Sequence, residues 1–112
     1  TYTVHAKFTS ISGLRVGSDV EMAGVPIGKV SGIEVDPEYA MAIVSMDIDK
    51  EVPLDEETFA SVRTSGLIGD KYILMTPGGM DIYLADGEEI INTESAIDIE
   101  NLISKYIFDG DS

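Results

Sequence analysis

Four groups of residues in this 112-residue chain have types that suggest chemistry, and each lacks the partner that chemistry needs. His5 is the lone histidine. It falls on the polar side of an alternating stretch, with no second histidine, cysteine or positioned carboxylate at a spacing that would make it a general base or a metal ligand. Ser65-Gly66 lacks the flanking glycine pattern of a nucleophile elbow. Asp47-x-Asp49 and Asp55-Glu56-Glu57 could attract a hard cation, but neither has the spacing of an EF-hand loop, so both read as solvated charge. Gly24-x-x-x-Gly28 is not followed by the Lys-Ser/Thr of a phosphate cradle and sits among strand residues. An enzyme using a carboxylate pair from Asp47, Asp49, Glu51 and Asp55 would need two carboxyls with pKa values pushed apart inside a cleft; the alternation in Met46 to Asp49 points the acids outward instead. The expectation is a protein that is not an enzyme and carries no cofactor or metal.

The fifth group is apolar. Leu67 and Ile68 stand side by side between Gly66 and Gly69, with Ser65 and Asp70 outside them, where a hairpin turn normally places polar residues. Either they fold back onto the end of their own domain or they project. Leaving both unburied forgoes about 3 to 6 kcal/mol, large beside a net stability of about 5 to 15 kcal/mol. A projecting tip therefore implies lipid, a partner or further copies of the chain to meet it.

The elements that must carry this loop are strands. Punctuation by Gly and Pro every eight to twelve residues suits an all-β barrel or sandwich. Tyr2, Val4, Ala6 and Phe8 alternate with polar residues, as do Val44, Met46 and Ile48, so each run is a strand with one buried face. Shorter strands are expected over Val20 to Met22, Lys29 to Val35, Phe59 to Thr64 and Tyr72 to Thr76, with a turn across Gly24 to Gly28. Ile82 to Leu84 and Glu88 to Ile91 read as a hairpin about Asp86-Gly87. The character changes after Asn92. Ser95-x-x-Asp98 resembles a capping box, and Ile99, Leu102, Ile103 and Tyr106 recur at helical spacing, with Lys105 near the far end. The expected organisation is a β-barrel over residues 1–92 and an amphipathic helix and tail over 93–112, whose stripe must bury against its own barrel or against a neighbouring copy, where it would hold copies together.

Composition narrows the functions. The chain carries 21 Asp and Glu against 7 Lys and Arg, a net charge of −14, and no run of basic residues, which argues against nucleic acid and an anionic membrane surface as partners. With 44% apolar residues it belongs with folded rather than disordered chains. A domain of this size buries roughly two thirds of its unfolded surface, enough for one core. It has no cysteine, so disulfides and thiolate sites are out of reach. Beginning at Thr1 without a methionine, the sequence reads as a fragment of a longer parent.

Two long motifs in register supply a resemblance. Phe8-x-x-Ile11-x-Gly13-Leu14-x-x-Gly17-Ser18-x-Val20-x-x-x-Gly24-Val25-x-Ile27-Gly28-x-Val30, followed by Arg63-Thr64-Ser65-Gly66-Leu67-Ile68-Gly69-Asp70-Lys71-Tyr72-Ile73, resembles the MCE-domain family over nearly the whole chain. That resemblance implies a small barrel of about seven strands that assembles as a ring, typically a homohexamer, around a hydrophobic channel. It implies an N-terminal anchor in the bacterial inner membrane, ABC-type permease and ATPase partners, and phospholipid carried between inner and outer membranes on the periplasmic side. The family's pore-loop position falls on Leu67 and Ile68, framed by Gly66 and Gly69. A Leu-Leu pair is common there; Ile68 departs from it in shape while keeping the apolar surface. The alternative the family name suggests is a surface adhesin or invasion module, which would be displayed outside the cell and hold little lipid.

Overall fold

The computed structural model describes residues 1–66 and 69–96. Eight strands form one sheet: β1 (Tyr2–Phe8), β2 (Asp19–Met22), β3 (Val25–Asp36), β4 (Met41–Ile48), β5 (Phe59–Thr64), β6 (Lys71–Thr76), β7 (Glu89–Ile90) and β8 (Asn92–Glu94). Their order across the sheet is β7-β1-β4-β3-β2-β6-β5-β8. The sheet curls into a near-closed barrel because its last segment serves both edges. β7 pairs in parallel with β1, and two residues later β8 pairs in parallel with β5. At the seam the Thr9 amide donates to Ser95 Oγ at 2.9 Å, and the Ala96 amide donates to the Ser10 carbonyl at 2.9 Å. These short parallel pairings cover part of each edge, His5 and Ala6 of β1 and Phe59 to Ser61 of β5.

Alternation builds the core. Val4 faces Met46 and Ala6 faces Val44 across the β1–β4 pair, and these four side chains and Phe8 and Ile48 are fully buried. β2 and β6 run parallel with Val20 opposite Ile73, both fully buried. Each such side chain contributes roughly 1.5 to 3 kcal/mol by leaving water.

Three details differ from the sequence expectations. The β2–β3 turn is only Ala23-Gly24, with φ of 54° and 82°, the double left-handed conformation that matches hairpin twist. β3 consequently starts at Val25, and Gly28 lies inside it instead of in a turn. There a β-carbon would run into the Asp47 carbonyl on β4, so glycine permits the close approach of the two strands.

The hairpin expected about Asp86-Gly87 does not form. The Gly87 amide donates to the Thr3 carbonyl at 2.7 Å, and the His5 amide to the Glu88 carbonyl at 3.0 Å. These bonds carry the chain onto β1 instead of back along Ile82 to Leu84. That stretch ties to residues 54–56, where the Leu84 amide donates to the Leu54 carbonyl at 2.8 Å and Asp55 bridges Tyr83.

Finally, pairing with the barrel continues past Asn92 through Glu94. The expected helix with Ile99, Leu102, Ile103 and Tyr106 lies outside the described residues, as do Leu67 and Ile68.

Candidate functional site

The β5–β6 hairpin positions the apolar pair. The strands stay in register to Thr64 opposite Lys71, and one step further the Ser65 amide donates to the Asp70 carbonyl at 3.0 Å. Only residues 66–69 remain to make the turn. Gly66 has φ of 75°, a left-handed conformation that side chains disfavour. Gly69 serves differently: a β-carbon there would collide with the Ser65 carbonyl. One glycine supplies conformation and the other supplies room, so the frame holding Leu67 and Ile68 is set by strand pairing and by these two residues.

Beside that frame lies a groove the sequence did not announce. It is built where the two motif segments converge. In the first, Gly13 and Gly17 have φ of 91° and 95°. The loop containing them is held by the Arg15 amide on Ser18 Oγ at 3.1 Å and by the Gly17 amide on the Val30 carbonyl at 2.8 Å. In the second, Lys71 lays its stem over Gly13, where a β-carbon would come within 2.9 Å of Lys71 Cγ. Parallel pairing of β2 with β6 brings the two segments together.

Arg15, Lys29 and Lys71 line this groove with Asp19, Glu21 and Asp70. Lys29 Nζ lies 2.6 Å from Asp19 Oδ1, and Arg15 reaches Asp70 at 3.9 Å. These basic residues form no run in the sequence, yet the fold lines one groove with them. Lys71 stands in the second motif, while Arg15 and Lys29 occupy unspecified positions of the first, so the motifs themselves did not announce the set.

His5, Asp47 and Asp55 hold the fold together. His5 Nδ1 meets Ser45 Oγ at 2.9 Å across β1 and β4, beside a similar rung in which Thr3 Oγ1 donates to Asp47 Oδ1 at 2.9 Å. Asp55 is buried, and its carboxylate accepts from the Thr58 hydroxyl at 3.0 Å and from the amides of Gly78 at 2.8 Å and Glu57 at 3.1 Å. Burial alone would push this carboxyl up; the bonds from Gly78, Thr58, Glu57 and Met80 outweigh it and hold its pKa below the ordinary value. A carboxylate so saturated staples the turn after Leu54 to the loop after β6, and has no lone pair aimed at a substrate.

A near-closed barrel whose two motifs meet beside a glycine-framed loop defines the MCE class of domain. The chain belongs to the MlaD family: the family model described as MlaD protein matches residues 1–78. It is 34% identical over 114 residues to the intermembrane phospholipid transport system binding protein MlaD of Escherichia coli K12, covering 96% of this chain and 62% of that protein. To the protein of the same name from Haemophilus influenzae it is 38% identical over 112 residues, covering 96% of this chain and 67% of the relative. Among solved structures it matches a chain of the Acinetobacter MlaFEDB complex in the ATP-bound Vtrans1 conformation, with TM-score 0.86 and 29% identity over 94% of this chain and 80% of that one. The chain thus spans about 62% of the length of the Escherichia coli relative.

Proposed function

We propose that this chain is one subunit of a ring-forming, phospholipid-binding component of an ABC-type transporter, acting on the periplasmic face of the bacterial inner membrane. In this reading a homohexamer brings the β5–β6 loops together at its axis. Leu67 and Ile68 of each copy then form an apolar collar through which acyl chains pass between the inner and outer membranes. The helix stripe of Ile99, Leu102, Ile103 and Tyr106 holds neighbouring copies together, and a membrane anchor and ABC permease and ATPase subunits complete the assembly. Movement is non-covalent, with its free energy supplied by the ATPase, so the chain itself is not an enzyme.

The observation that carries this reading is the coincidence of an apolar pair at a glycine-framed turn with relatives named for intermembrane phospholipid transport. The likeness to a chain of an ATP-bound MlaFEDB complex supports the partners. Those names favour transport over the adhesin alternative. The net charge of −14 fits contact with lipid through apolar residues instead of the acidic outer surface.

The test is complementation in Escherichia coli lacking its own MlaD. The chain, carried on the segments of that protein that it does not cover, is expected to restore outer-membrane lipid balance. The double variant Leu67→Asn with Ile68→Asn is expected to fail while remaining folded and assembled. Full restoration by the double variant would overturn the collar.

A further inference from the structure

The groove between the Gly13–Ser18 loop and the root of the β5–β6 loop has an unusual charge balance for this molecule. Over the whole chain acids outnumber bases 21 to 7, yet the groove has Arg15, Lys29 and Lys71 facing Asp19, Glu21 and Asp70. A lone anion entering it meets three carboxylates, and a lone cation meets three bases. A ligand carrying both charges a few ångströms apart satisfies both sets.

Lys29–Asp19 and Arg15–Asp70 are solvent-exposed, and exposed pairs hold their partners weakly. Lys71 is half-buried against Gly13 and has no carboxylate within ion-pair distance among the described residues. The groove is open to solvent and has a volume of about 630 Å³. Its wall includes Ser65 and Gly69, which bracket the segment with the apolar pair.

We propose that this groove receives the zwitterionic head group of a phospholipid, with the phosphate against Lys71, Lys29 and Arg15 and the ammonium against Asp19, Glu21 and Asp70. The inference rests on the phospholipid function proposed above and deepens it by naming the head-group class. Charge-assisted hydrogen bonds hold the phosphate, and the acidic side chains disfavour lipids whose head groups carry net negative charge.

The test is a titration of the chain, followed by backbone amide chemical shifts, with dihexanoyl phosphatidylethanolamine, dihexanoyl phosphatidylglycerol and inorganic phosphate, both lipids below their micellar concentrations. Phosphatidylethanolamine is expected to move the amides of Gly17, Ser18, Gly69 and Lys71. Lys71→Gln is expected to weaken that binding on the order of tenfold, the loss of one hydrogen bond to a charged group. Phosphatidylglycerol is expected to bind at least about threefold more weakly, since exposed charges contribute a fraction of a kcal/mol each.

Equal affinity for the two lipids, or no effect of Lys71→Gln, overturns the proposal. So do the same shifts with inorganic phosphate alone, which mark a free-anion site, and shifts that follow protein concentration without lipid, which mark a face covered by a second copy. Complementation with Leu67→Asn and Ile68→Asn separates the two readings. If that variant fails to restore lipid balance while Lys71→Gln leaves the titration unchanged, the groove fails and the collar stands. If that variant restores lipid balance while Lys71→Gln weakens phosphatidylethanolamine binding, the collar fails and the groove stands.

Discussion

The Ser65 amide donates to the Asp70 carbonyl at 3.0 Å, one step beyond the last pair of the β5–β6 ladder. This bond narrows the hairpin end to four residues, and the two glycines among them close it by different means. Gly66→Ala is expected to cost about 1 kcal/mol, the strain of a side chain in a left-handed conformation, because its β-carbon would meet nothing within 4 Å. Gly69→Ala would press on the Ser65 carbonyl and must open the turn. Urea midpoints should therefore show a modest loss for Gly66→Ala, while Gly69→Ala should also erase the slow hydrogen exchange of the Ser65 amide. Retained protection at Ser65 in Gly69→Ala would mean the turn has another source of order.

Legibility followed the range of the interactions. β1 and β4 were readable because a half-buried strand alternates locally, and Val4, Ala6, Val44 and Met46 do so without exception. The Ala23-Gly24 turn was misplaced because the glycine at 28, needed for contact with Asp47, looks like turn punctuation in one dimension. Asp86-Gly87 resembles a hairpin turn locally, but the bonds that decide its course run to Thr3 and His5, more than 80 residues away in sequence. The loop frame was visible as two glycines around an apolar pair. The mixed-charge groove is not, because Lys71 joins residues 15 and 29 only through the parallel β2–β6 pairing.

Gly28 offers a sharper test of the barrel. Its α-carbon faces Ile48 in the β3–β4 register, and a methyl group there would run into the Asp47 carbonyl. Gly28→Ala is expected to destabilise by about 3 kcal/mol, the upper end for overpacking, measured by denaturant unfolding. A loss below about 0.5 kcal/mol, the level of a neutral surface change, would show that β3 and β4 are further apart.

Acid sensitivity should trace to Asp55 and Asp36. At Asp36, as at Asp55, burial pushes the carboxyl up, while the Glu38 amide at 3.0 Å and Lys7 at 3.3 Å outweigh it and hold the pKa below its ordinary 3.8. A folded-state pKa below the unfolded one makes the unfolded chain bind more protons, so the stabilisation is complete above about pH 5 and declines as pH falls through the folded value. Thermal melts are expected to show Tm nearly flat from pH 7 to about 5 and falling below about 4. Asp55→Asn should melt lower at pH 7 and lose less on acidification, since its four donors then face a neutral group. An unchanged acid profile in that variant would place the sensitivity elsewhere.

The seam decides where the tail can be cut. A chain ending at Asn92 loses most of β8, whose partner is β5, and the Ser95 and Ala96 bonds to Thr9 and Ser10. A chain ending at Ala96 keeps them. The shorter chain is expected to melt several degrees below the longer one. The longer one should stay folded while assembling less than the complete chain by light scattering, because it lacks Ile99, Leu102, Ile103 and Tyr106. Equal assembly of the 96-residue and complete chains would remove the helix stripe from the oligomer contact.

The most direct measurement is site-specific photo-cross-linking to phospholipid. Benzoylphenylalanine is placed at position 67 or 68, and for comparison at position 35, where Val35 is 72% exposed on the outer surface of β3. The complemented cells are labelled with radioactive phosphate and irradiated. Labelled lipid is expected on the chain from positions 67 and 68 and not from position 35. Equal labelling at all three, or labelling at position 35 alone, would contradict passage of lipid past the β5–β6 loop.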